Sequence, residues 1–142
     1  YYIPHIVKRI EGRDSLDRRF YERHYTKVDP KHFDPIVEGM WRGVNVGGTS
    51  TMARLEGWDV CGKTGTAENP RGRDHSTFLS FAPKDNPRIA ISVYVENGGF
   101  GATSALPIAS LLEEYYLTDT IRRPALLEYV KNMQLYYPAY DK

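Results

Sequence analysis

The chain is 142 residues long, with 41% apolar and 26% charged residues and a formal net charge of +1. This is the composition of one globular domain; it excludes a disordered chain and gives no electrostatic reason for a nucleic-acid or anionic-membrane partner. One cysteine, Cys61, excludes an internal disulfide and a multi-cysteine metal site, and the longest strongly apolar run, Ile89 to Val95, is far too short for a membrane-spanning helix.

In chain order, Tyr1 to Ile10 is β-branched and aromatic enough for a strand, with Pro4 confining it to an edge or a strand start. Glu11 to Asp29 is charged, without clear period, and reads as an exposed excursion. Ile36, Val37, Met40, Trp41 and Val44 recur at helical spacing, with Asp34 as N-cap, Pro35 as first helical residue and Gly47-Gly48 as the stop. From Trp58 the period changes to two, through Val60, Gly62, Thr64 and Thr66, and Asn69-Pro70-Arg71-Gly72 is a connection. Ser76 to Ala82 is a second strand, with Phe78 on one face and Thr77, Leu79 and Phe81 on the other. The short turn Pro83 to Pro87 leads to a third, with Ile89, Ile91, Val93 and Val95 on one face, so an antiparallel meander is expected. After Asn97 to Gly101, Leu106, Ala109, Leu112 and Tyr116 predict a helix covering the sheet, and Pro124 starts a shorter one through Leu135. The fold class is α+β, a three-stranded antiparallel meander flanked by helices. Its organisation is an extended or irregular segment over 1–29, a central unit over 30–117 and a helical tail over 118–142.

The chemistry concentrates in Gly62-Lys63-Thr64-Gly65-Thr66-Ala67-Glu68. Glycine weakens a strand, and inside one it marks close approach by another backbone or a ligand. Lys63 offers a charge, Thr64 and Thr66 offer hydroxyls, and an unpaired strand edge offers backbone N–H groups. Together they suit an extended peptide ending in a carboxylate.

Lys-Thr-Gly-Thr on a strand resembles the third motif of the penicillin-binding proteins and serine β-lactamases. The flanks follow that family's order: Gly39-Met40, Gly48-Thr49, Phe78 to Pro83, Asn86 to Ala90, Val95 to Gly99, and Ala105 to Ala109. The resemblance covers residues 30 to 117 and is closest to the class B, elongation-type penicillin-binding protein 2, which implies the C-terminal part of a transpeptidase (β-lactamase-like) fold. It implies that Lys63 charges the site and orders the catalytic hydroxyl network, and that Thr64 and Thr66 bind the carboxylate of a peptide or β-lactam. The Thr66 N–H becomes one oxyanion-hole donor, and Gly65 keeps the strand face clear for substrate. No metal or organic cofactor is implied. The implied partners are peptidoglycan stem peptides, β-lactams, and the glycan-polymerising and cell-shape machinery, at the periplasmic face of the inner membrane.

The family's S-x-x-K and S-x-N motifs are absent: Ser15, Ser50, Ser76, Ser80, Ser92, Ser104 and Ser110 each lack Lys three residues on and Asn two residues on. With no initiating Met, the sequence reads as a piece of a longer, anchored D,D-transpeptidase, and the chain alone is expected to be inactive. Alternatives are a D-Ala-D-Ala carboxypeptidase, a β-lactamase or a penicillin-sensing domain of the same superfamily, or a noncatalytic carboxylate- or peptide-binding module.

Other residues favour plainer roles. Glu68, Arg71, Arg73, Asp74 and His75 read as a solvated border, and His5, His24, His32 and His75 lack metal-ligand spacing. Cys61 reads as small and buried, Trp41 and Trp58 as core, and Tyr115, Tyr116, Tyr136 and Tyr137 as helix packing. Apolar residues on both faces of Ser76 to Ala82 predict a sheet that one helix cannot cover, and hence self-association of the isolated chain as a homo-oligomer.

Overall fold

The period of two from Cys61 onward becomes a sheet. The structure, a computed structural model, describes residues 1–13 and 15–135. Strands β1 (Cys61–Ala67), β2 (His75–Ala82) and β3 (Ile89–Val95) pair antiparallel in the order β1-β2-β3. Thr64 lies opposite Phe78, and Phe78 opposite Val93. Along β2, Ser76, Phe78, Ser80 and Ala82 are buried, whereas Leu79 on the other face is 52% exposed. The fold is therefore the expected α+β meander.

Three helices accompany the sheet: α1 (Phe33–Asn45), α2 (Ala105–Thr118) and α3 (Pro124–Lys131). Helix α2 lies over β2 and β3 and closes a core of Val44, Val60, Phe78, Ala82, Leu106, Ala109 and Leu117. Its buried stripe differs from the expected one. Leu112 and Tyr116 are 54% and 53% exposed, as is Tyr115 at 57%, and the core-facing positions are Leu106, Ala109, Ser110, Glu113 and Leu117. The helical period leads from 106 and 109 to 113, but a carboxylate there diverts a hydrophobicity-based reading to Leu112. Tyr115 and Tyr116 are thus surface residues, Tyr116 donating its hydroxyl to the Arg88 carbonyl at 3.4 Å. Tyr136 and Tyr137 lie outside the described residues. Helix α3 stops at Lys131 rather than Leu135.

Helix α1 begins one residue before the expected N-cap Asp34. Asp29 caps a 3-10 turn, Pro30–His32, by accepting from the Lys31 N–H at 3.1 Å, and this turn runs directly into the helix. Of its apolar residues only Val44 is fully buried; Trp41 is half-buried and Ile36 is exposed. Polar ties hold α1 instead: Trp41 Nε1 donates to Asp59 at 2.8 Å, Asn45 Nδ2 to the Val60 carbonyl at 2.9 Å, and Lys84 Nζ to Glu38 at 2.7 Å. Trp58 does pack against the core, half-buried.

The chain forms two compact units, dividing after Phe33. In the first, the strand expected over Tyr1 to Ile10 does not form. Pro4 lacks an N–H, and among the described residues the pairing stops at one reciprocal contact, the His24 N–H donating to the Tyr1 carbonyl at 2.7 Å and the Tyr1 ammonium to the His24 carbonyl at 2.6 Å, while Ile6 and Val7 remain exposed. The excursion after Glu11 is exposed apart from buried Leu16 and half-buried Phe20 and His24, and holds a short 3-10 turn, Arg18–Phe20. Among the described residues no helix is long and apolar enough to cross a membrane.

Candidate functional site

The strand carrying Lys63, Thr64, Gly65 and Thr66 is β1, at one edge of the described sheet. Its two inner glycines answer to neighbours on β2. A Cβ on Gly62 would come within 2.6 Å of the Phe78 ring, and one on Gly65 would overlap the Thr77 hydroxyl. The backbone of Gly65 is also approached by Gly101, whose own Cβ would lie 2.5 Å from the Gly65 carbonyl oxygen. Glycine at 65 and 101 thus lets the loop after β3 press directly on β1.

Which backbone groups face outward follows from strand alternation. The Gly62 carbonyl lies 3.5 Å from the Cβ position of Gly43 on α1, outside the sheet, and the Thr64 carbonyl accepts from Lys63 Nζ at 2.7 Å. Successive even-numbered residues share an edge, so the N–H of Thr66 also points away from β2. The last turn of α1 flanks the start of this edge, through Asn45 on the Val60 carbonyl; beyond it no strand of the described sheet pairs with the edge.

The side chains complete a polar, cationic ledge. Lys63 is exposed and has no carboxylate partner among the described residues. Thr64 is half-buried, its hydroxyl 3.1 Å from that of Thr49. Thr66 is exposed, with no side-chain hydrogen bond among the described residues. Thr64 and Thr66 leave one face of β1 and Lys63 the other, but Lys63 Nζ turns to the Thr64 carbonyl at the edge, so one ammonium, two hydroxyls and an outward N–H lie along three consecutive strand steps, donors suited to an anion.

The connections at this end of the sheet are cross-tied. Asn69 Nδ2 donates to Asn97 Oδ1 at 2.9 Å, Asp74 Oδ1 accepts from the Asn69 N–H at 3.2 Å, and the Gly99 N–H reaches the Asp74 carbonyl at 2.8 Å. His75 is no part of a solvated border: it opens β2, and its Nδ1 accepts from the Asn97 N–H at 3.0 Å, which fixes the proton on Nε2 when the ring is neutral. Ser76, opposite Thr66, donates to the Phe100 carbonyl and accepts from the Ala105 N–H, both at 3.0 Å, so a β2 side chain caps α2.

Cys61 is buried, and burial pushes its thiol up to about 11, which removes it as a nucleophile. No cluster of metal-ligating side chains occurs among the described residues. A cavity of about 1010 Å³, lined by Trp41, Asn45, Trp58 and Arg122 among others, does not include the Lys63 to Thr66 ledge. Sequence reasoning missed Glu113, wholly buried beneath β2, where Ser80 donates to its Oε2 at 3.1 Å. It also left Thr49 without a role.

The family described as penicillin binding protein transpeptidase domain matches residues 1–112. The peptidoglycan D,D-transpeptidase MrdA of Haemophilus influenzae is 32% identical over 138 residues, a match covering 83% of this chain and 21% of that protein. The protein of the same name from Acinetobacter baumannii is 28% identical over 147 residues, covering 86% of this chain and 20% of that one. Among solved structures, Pseudomonas aeruginosa PBP2 in complex with WCK 5153 matches with a TM-score of 0.59 and 32% identity, over 84% of this chain and 27% of that one. The chain spans about a fifth of the length of the curated relatives it matches.

Proposed function

We propose, from the premise that this chain belongs to the penicillin-binding protein transpeptidase domain family, that it supplies the carboxylate-gripping wall of a class B, elongation-type peptidoglycan D,D-transpeptidase. The observation that carries this reading is the open edge of β1, where Lys63, Thr64 and the Thr66 hydroxyl and N–H are all free of carboxylate partners among the described residues.

Lys63 and the two threonine hydroxyls hold the terminal carboxylate of a stem peptide, and Gly65 keeps the strand between them narrow. That anchoring lays the penultimate D-alanine carbonyl against the edge, where the Thr66 N–H meets the negative charge that develops on its oxygen. A serine, which must come from an S-x-x-K motif that these 142 residues do not contain, attacks the carbonyl carbon. Its proton passes to a neighbouring base and on to the departing D-alanine amine as the peptide bond breaks. An amine of a neighbouring stem peptide then attacks the serine ester, forming the cross-link and returning the proton to the serine oxygen. β-Lactams acylate the same serine, and the complex of the Pseudomonas protein with WCK 5153 supports small-molecule binding by this fold. The substrate and the names of the relatives support a place at the periplasmic face of the inner membrane beside the glycan-polymerising and cell-shape machinery. Residues 30–117 carry the wall in this reading, between the irregular 1–29 and the tail from 118.

Incubation with a fluorescent penicillin tests this. The full-length protein containing the chain is expected to become covalently labelled, and its Lys63→Ala variant to label about 100-fold more slowly, since one charged active-site donor is worth that order of rate. The 142-residue chain is expected to stay unlabelled. Labelling of the short chain, or full labelling speed in the variant, overturns the assignment.

A further inference from the structure

Besides Gly101 against Gly65, the Lys63 to Thr66 ledge has a side-chain neighbour from outside the sheet. Thr49 stands 15 residues before Thr64 yet places its Oγ1 3.1 Å from that of Thr64. The segment that delivers it is fixed at both ends. Gly47 takes a φ of +100°, and Gly48 packs so closely on α1 that a Cβ there would lie 2.6 Å from the Gly43 Cα. The Ser50 N–H then donates to the Gly43 carbonyl at 3.1 Å, and Ala53, in the following 3-10 turn, is wholly buried in the core. Thr49 itself is exposed, so this construction aims a hydroxyl at Thr64 without burying it.

We propose that Thr49 is a positioning residue of the carboxylate subsite: its hydroxyl donates to that of Thr64 and so commits the Thr64 proton to a bound carboxylate. This rests on the carboxylate-gripping role given to β1 above. Each threonine hydroxyl has one proton to donate, and in the empty site either oxygen can be the donor. A carboxylate accepts only. Once it binds, Thr64 must turn its proton outward, and it keeps its bond to Thr49 only if Thr49 becomes the donor. The chain Thr49 to Thr64 to carboxylate then runs in one direction, and each bond polarises the next. A hydrogen bond to a charged acceptor is about twice as strong as one to a neutral acceptor, so the benefit depends on the charge of the ligand.

The test compares acylation of the full-length enzyme by a penicillin and by its neutral methyl ester. Thr49→Val is expected to slow acylation by the free acid about tenfold and by the ester less than about twofold, with Thr49→Ser close to the parent enzyme on both. Thr64→Val serves as the reference for the subsite. If Thr64→Val discriminates acid from ester and Thr49→Val does not, the proposal fails while the reading of β1 stands. If neither variant discriminates, that reading fails as well. Equal slowing of both ligands by Thr49→Val reveals a structural role and overturns the proposal, as does a Thr49→Ser enzyme as slow as Thr49→Val.

Discussion

Glu113 brings a carboxyl into the layer between α2 and the sheet, where its residue is wholly buried and its Oε1 finds no partner among the described residues. Burial pushes its pKa from 4.5 up to about 7, against the smaller opposing effects of the Ser80 hydroxyl and the Arg123 charge. A folded-state pKa above the unfolded one means the native protein holds this proton more tightly. The associated stability is therefore complete below the ordinary value of 4.5 and is lost as pH rises through about 7. The full loss is on the order of 3 kcal/mol, by the equivalence of about 1.4 kcal/mol per pKa unit. Glu38 works in the opposite sense: hydrogen bonds from Lys84 and then Arg42 lower its pKa, so its contribution is present above 4.5 and fades as pH falls. Stability should thus peak in mildly acid solution. Urea unfolding between pH 5 and pH 8 is expected to show a falling midpoint for the native sequence and a nearly flat one for Glu113→Gln, which keeps the shape and cannot ionise. An unchanged slope in the variant would assign the pH dependence elsewhere.

At the scale of elements, an ion pair from the N-cap residue of α3 ties it to α2. Arg123 Nε meets Glu114 Oε2 at 3.0 Å, while its two other nitrogens donate to the carbonyls of Met52 and Ser110, each at 2.9 Å. Arg123→Met leaves the nearly inaccessible Glu114 carboxylate without its cation and is expected to destabilise the fold by about 3 kcal/mol, read as a shift in the denaturation midpoint with unchanged slope. Such ties explain what the sequence made legible. β1, β2 and β3 could be read because alternation is local, and the site because Lys63 to Thr66 is one contiguous run. The core position of Glu113 could not, since nothing adjacent announces that Ser80, 33 residues earlier, supplies its hydrogen bond. The Thr49–Thr64 contact and the capping of α2 by Ser76 are likewise long-range. Tyr1 to Ile10 failed as a strand for the converse reason: its local propensity was right, but a strand exists only with a partner.

At the scale of the whole molecule, the sheet buries one face under α2 and leaves the other, with Leu79 and Tyr94, 52% and 55% exposed. Both outer strands of the described sheet also lack a second neighbour. The β1 edge is flanked at its start by α1 and carries the charge of Lys63, two features that discourage strand addition, whereas β3 presents Ala90, Ser92 and Tyr94 with no charged side chain on that face. A second copy of the chain, bringing the same apolar face, is the occupant most readily supplied in a solution of the purified chain. Reversible self-association through this face should therefore appear in sedimentation as a weight-average mass that rises with concentration. Leu79→Glu adds a carboxylate directly opposite Lys63 on the same face, where it gains a cation and opposes apolar contact. The variant should sediment as a monomer across concentrations at which the native sequence associates. A native chain that stays monomeric up to on the order of 100 µM would mean this face contributes less than roughly 5 kcal/mol of association free energy, too little to drive pairing.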